Sequence, residues 1–156
     1  VLDRLIAKSP FATAVTAALE ESRRRGDRRL GTEHLLLGLL HDPGGAPARA
    51  LGVDLGAARA ALDRLDRAAL AALGIEVEGL RPAVVPPRRA RVTPGALTSN
   101  ARAVVNEAIR GVPRPRDPVA LLRVLLTVTP PDPAAALLAE LGVDREAVRR
   151  RLEPPT

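Results

Sequence analysis

Apolar residues recur at helical spacing along most of the chain. In SPFATAVTAALEESRRRG, residues 9–26, Phe11, Val15, Ala18, Leu19 and Ser22 form one stripe. Ser9 is placed to cap that helix, Pro10 takes the first helical position, and Gly26 ends it. GTEHLLLGLLHD, residues 31–42, has a different pattern. Its leucines at 35, 36, 37, 39 and 40 cover too many angles for a helix with a wet face, so a central helix buried on several sides is expected. Thr32 would cap it, Glu33 would lie in the first turn where a negative charge meets free backbone N–H groups, and the helix would run to about His41. DPGG then turns the chain into the short segment APARAL. LGVD at 51–54 breaks and restarts it, with Asp54 capping a helix to about Leu62, and DRLDRAALAALG continues the periodicity to Gly74.

From Gly79 to Gly95 the text GLRPAVVPPRRARVTPG contains four prolines and no helical stripe, which marks a linker or irregular arm. Four further helices are expected beyond it. LTSNARAVVNEAIRG is opened by Thr98 or Ser99, VALLRVLL by Asp117 and Pro118, and DPAAALLAELG and VDREAVRRRL follow. The halves echo one another: EESRRRG and NEAIRG, LLLGLL and ALLRVLL, LGVDLGAAR and LGVDREAVR. The fold expected is all-α, a pseudo-symmetric double helical repeat of about eight short helices. Residues 1–78 would form the first unit with a short helical extension, 79–96 the Pro/Arg-rich linker and 97–156 the second, divergent unit, together one compact body.

Composition narrows what fills that body and what it can do. Phe11 is the one aromatic residue among 156, so Leu, Val and Ala must supply the core, which favours closely packed short helices. Without cysteine there is no disulfide framework, thiolate metal site or thiol nucleophile, a composition that fits a reducing cytoplasm. No run reaches eighteen apolar residues and no secretory layout opens the chain, so neither a membrane span nor a leader is expected. The net charge of +6 is concentrated between Arg81 and Arg116, eight arginines against Glu107 alone. Arg88, Arg89, Arg91, Arg114 and Arg116 are therefore candidates for a basic patch facing a polyanion or acidic partner, and for 88–91 a charged linker is an equal reading. Nucleic acid is the less favoured partner: Asn100, Arg102 and Asn106 come nearest to a base-reading set, and one phenylalanine makes no stacking platform.

Histidine chemistry is constrained by spacing. His34 and His41 stand seven apart, roughly 10 Å along a helix, too far to share one metal ion. Neither a metallohydrolase pattern nor a nucleophile arrangement occurs, so no catalytic residue, metal or other cofactor is expected. His34 reads as a structural histidine satisfying a loop carbonyl, His41 as a helix-end residue, and Arg23, Arg24 and Arg25 as a solvated helix end.

GDRRLGTEHLLLGLLHD followed by LGVDLGAAR resembles the amino-terminal domain of the Clp/Hsp100 AAA+ unfoldases, especially the ClpC type. The resemblance is strong over about residues 20–59 and is carried in the second half by helical layout and LGVD alone. It implies an all-α, non-enzymatic module that binds proteins or peptides, such as unfoldase substrates or adaptors; this stretch contains no GxxxxGK[ST] and one lysine, Lys8. In some relatives the motif glutamate of each repeat holds the guanidinium of phosphoarginine, and a threonine and an arginine hold the phosphate. Carried over, that implies Glu33 with Thr32 as the polar anchor, a loose counterpart in Arg4 and Lys8, and Thr93 and Thr98 as remnants of the second pocket. In the second half RDPV replaces GTEH and puts Pro118 where the glutamate would be, so its acidic anchor should be lost. Relatives are also targets of cyclic peptide antibiotics, which makes a decoy role a further implied possibility.

Overall fold

A computed structural model of the chain describes residues 9–75, 94–110 and 117–155. These form eight α-helices: α1 Pro10–Arg24, α2 Thr32–Leu39, α3 Ala46–Leu51, α4 Leu55–Ala72, α5 Ser99–Arg110, α6 Val119–Leu125, α7 Pro133–Glu140 and α8 Arg145–Leu152. Helix starts follow the local chemistry. Ser9, Asp54, Asp132 and Asp144 each accept a hydrogen bond from a backbone N–H of the first turn, and Thr98 Oγ1 does so from Ala101 N at 3.1 Å. The echoed LGVD segments serve the same purpose twice. Gly52 (φ 68°) and Gly142 (φ 66°) turn the chain through the left-handed region that glycine tolerates, and the following aspartate caps the next helix.

The helix pairings are those of a pseudo-symmetric double repeat. With α1 matched to α5, α2 to α6, α3 to α7 and α4 to α8, the packing of α1 on α2 corresponds to that of α5 on α6. Likewise α3 on α8 corresponds to α7 on α4, α2 on α7 to α6 on α3, and α2 packs directly on α6. Leu35, Leu36 and Leu37 of α2 and Leu121, Leu122 and Leu125 of α6 are shut from solvent in one continuous core. The leucine block is thus the seam of a paired body, buried on several sides as its angular spread required. At its closest crossing α2 presents Gly38 to α1: a Cβ there would lie 2.8 Å from Ala18 N and closer still to the Ala14 carbonyl oxygen.

Several local expectations change. Gly31, not Thr32, is the N-cap of α2, and the helix stops at Leu39 rather than His41. The segments read as a helix and its continuation are one helix, α4, whose second half is largely exposed. Arg25 is not a free solvated end, because its guanidinium bonds Asp63 at 2.8 Å and also pairs with Asp66, clamping the end of α1 to α4. His41 does not merely follow a helix terminus: its Nε2 sits 2.8 Å from the buried carboxylate of Glu21, which also receives Arg59. Burial alone would push the Glu21 carboxyl up, but the hydrogen bonds and charges of Arg59 and His41 outweigh it and hold the group below its ordinary 4.5. The boundaries 1–78, 79–96 and 97–156 rest on the sequence, since much of the linker lies outside the described residues.

Candidate functional site

The two halves are tied together beside the start of α2. Leu30 N donates to Ala96 O at 2.7 Å and Thr98 N donates to Leu30 O at 2.9 Å, a short parallel pairing of the segments that precede α2 and α5. It sets Thr98, Ser99 and Asn100 against Gly31, Thr32 and Glu33. The start of α7 closes a third side, leaving an open cavity of about 330 Å³ lined by these residues and Pro133. The amino-terminal ends of three helices therefore face one cavity, where a negative charge is favoured.

Two carboxylates occupy that field in different ways. Asp132 is buried and saturated. It accepts from Thr32 Oγ1 at 2.6 Å, from Ala134 N at 2.8 Å and from Asn100 Nδ2 at 3.3 Å, while Thr32 Oγ1 in turn accepts from Ala134 N at 3.2 Å. Thr32 is thus a cross-brace between halves. Replacing it with the near-isosteric valine should remove a charge-assisted bond and lower the unfolding free energy by about 1.5–2 kcal/mol, measured by urea denaturation. Glu33 is not saturated: Oε2 is closed off from solvent and has no hydrogen-bond partner among the described residues. Its carboxylate folds back over Gly31, where a Cβ would lie 2.6 Å from Oε1 and nearer to Oε2. Glycine at 31 is what lets the carboxylate rest there; its backbone, at φ −99° and ψ 177°, is open to any residue.

His34 stands behind Glu33 and is almost fully buried. Gly31 N donates to its Nδ1 at 2.8 Å, so the ring proton sits on Nε2 and points to Asp27 Oδ2 at 2.7 Å. The expected loop carbonyl is replaced by a backbone N–H and a carboxylate. Asp27, Glu33 and His34 bring ligand-type atoms within 4.8 Å of one another. Both imidazole nitrogens are already engaged, which makes the group a hydrogen-bonded strut under Gly31; a cation would have to break one of those bonds, and a buried ring cannot reach a substrate as a general base.

Of the residues singled out from sequence, Thr32, Glu33 and Thr98 meet at this cavity. Arg4, Lys8 and Thr93, together with Arg88, Arg89, Arg91, Arg114 and Arg116, lie outside the described residues. Asp132 and Pro133 were not anticipated as site residues, and Asn100, weighed only for base reading, instead lines this cavity and bonds Asp132. Asp132-Pro133 reads locally as a helix start, and only the fold carries it to Thr32.

The family model for the Clp repeat (R) N-terminal domain matches residues 8–108, from just before α1 into α5. The chain belongs to this family. No individually curated protein matches it. A Clp amino-terminal domain is a non-catalytic module for protein or peptide interaction. The matched segment includes Glu33 and the Leu30–Leu97 pairing that builds its cavity. Among the described residues no helix is long and apolar enough to cross a membrane.

Proposed function

We propose that this Clp amino-terminal domain binds a peptide or protein segment in the mouth between its halves, with Glu33 receiving the guanidinium or ammonium group of a basic side chain. One observation carries the reading. Glu33 lines a cavity open enough to admit a side chain and holds one acceptor oxygen away from water with no hydrogen-bond partner among the described residues. A buried, unmet carboxylate oxygen is costly, and a forked N–H donor entering the cavity removes that cost. Thr98 and Asn100 on the opposite wall would set the depth of entry. The second half, by this reading, is a divergent copy of the same repeat that keeps the scaffold and has lost its own acidic anchor at Pro118. Unfoldase substrates or adaptors are the partner class that the family suggests.

The test is calorimetric titration of the full chain with free arginine, and with phosphoarginine presented on an immobilised support. Binding should fall at least tenfold in Glu33→Gln and persist in Arg89→Ala. Retention in Glu33→Gln, or loss in Arg89→Ala alone, would move the site to the basic segment and overturn the reading.

A further inference from the structure

Glu33 Oε2 has no hydrogen-bond partner among the described residues, although its carboxylate rests over Gly31, an N-cap residue with a backbone N–H to give. That N–H is spent elsewhere. His34 occupies the third position of α2, from which a capping-box side chain reaches back to the N-cap. Its Nδ1 accepts the Gly31 N–H at 2.8 Å and therefore carries no proton. The same nitrogen stands 3.4 Å from Glu33 Oε1, so the ring turns a lone pair, not a donor, toward the carboxylate.

Asp27 enforces this arrangement from the far edge of the ring. Its Oδ2 lies 2.7 Å from Nε2 and holds the proton there. In the other tautomer lone pairs would face each other at Nε2 and two N–H groups at Nδ1. Asp27 is itself held, because Arg25 Nε stands 3.8 Å from the same Oδ2 while that guanidinium is fastened to α4 through Asp63 and Asp66. His34 is almost fully buried, so its ring depends on these two partners.

We propose that Asp27 and His34 are positioning residues that withhold both the Gly31 N–H and the imidazole N–H from Glu33, and so reserve its carboxylate for an incoming cation. This rests on the reading of Glu33 as the anchor and adds how the free protein keeps that anchor uncommitted. Without the Asp27 acceptor the ring proton is free to move to Nδ1, where it points at Glu33 Oε1 and satisfies the carboxylate from inside. An entering guanidinium then has to displace that bond.

Long-range 15N–1H NMR of the His34 ring in the full chain at pH 8, without ligand, reads the place of the proton. The Glu33 side-chain 13C shift reads whether the carboxylate has gained a donor. The parent and Asp27→Asn, whose amide oxygen still accepts from Nε2, should both hold the proton on Nε2. Asp27→Leu, at an exposed loop position, should move it toward Nδ1 and shift the Glu33 carboxyl carbon. Calorimetric affinity for free arginine should fall by about fivefold or more in Asp27→Leu and stay within about twofold of the parent in Asp27→Asn. A parent ring protonated at Nδ1, an unchanged tautomer and Glu33 carbon in a folded Asp27→Leu variant, or unchanged arginine affinity despite a moved proton would overturn the inference. If the parent binds no arginine while the tautomer and the Glu33 carbon behave as stated, the anchor reading fails and the withholding of donors stands.

Discussion

Gly38→Ala should lower the unfolding free energy by about 3 kcal/mol, at the upper end of what overpacking a core usually costs. The added methyl would lie 2.8 Å from Ala18 N and 3.0 Å from Ala18 Cβ, and nearest of all to the Ala14 carbonyl oxygen. Two of those obstacles are backbone atoms of a fifteen-residue helix, so no rotamer change relieves them; α1 and α2 must separate. Separation would also loosen the leucine seam, since α2 packs on α1, α4, α5, α6 and α7 together. In a domain of this size the loss corresponds to a fall in melting temperature of roughly 10 °C. Gly95→Ala is the control: it is exposed, its Cβ would meet nothing within 4 Å, and it should change stability by less than about 0.5 kcal/mol. Thermal and urea denaturation of both variants decide the matter, and equal stability of the two would mean that the crossing is looser than drawn.

That crossing shows what the sequence could and could not carry. Leucines at five of six successive positions required a helix buried all round, and the LGVD echo pointed to duplicated helices, because both features are local in the chain. Gly38 within LLLGLL is equally local, yet its role depends on which helix lies opposite. Glu21 is harder to read. Nothing distinguishes it from the exposed Glu20 except phase: it stands seven residues after Ala14, on the stripe that faces inward. That phase could have marked it as buried; its partners could not be read, because Arg59 lies 38 residues away. The candidate site divides in the same manner. Glu33 and Thr32 were legible from their motif at a helix start, whereas Asp132 reaches Thr32 across 100 residues and has the local sequence of an ordinary cap. Local chemistry fixes helix ends, and only the pairing of the halves decides which ends meet.

Arg59→Ala should cost about 2 kcal/mol at neutral pH and much less near pH 4. Glu21 is almost fully buried, and its carboxylate survives there because Arg59 donates through Nε and Nη2 while His41 Nε2 approaches at 2.8 Å. Breaking a buried pair typically costs about 3–5 kcal/mol; the lower figure reflects the Arg59 side chain, which is 30% exposed and partly solvated already. In the parent chain the folded carboxyl titrates below its ordinary 4.5. Its contribution is therefore complete above about pH 4.5 and is lost as the pH falls through the lower folded value. Without Arg59, burial, the largest single influence on this group, is opposed only by His41, and the carboxyl should rise. Protonation then relieves the variant on acidification while it still penalises the parent, so the two stability curves converge from neutral pH downward. Urea denaturation of both proteins at pH 7 and pH 4 measures the convergence directly. A difference of the same size at both pH values would show that Arg59 stabilises through the packing of its aliphatic stem rather than through the Glu21 charge.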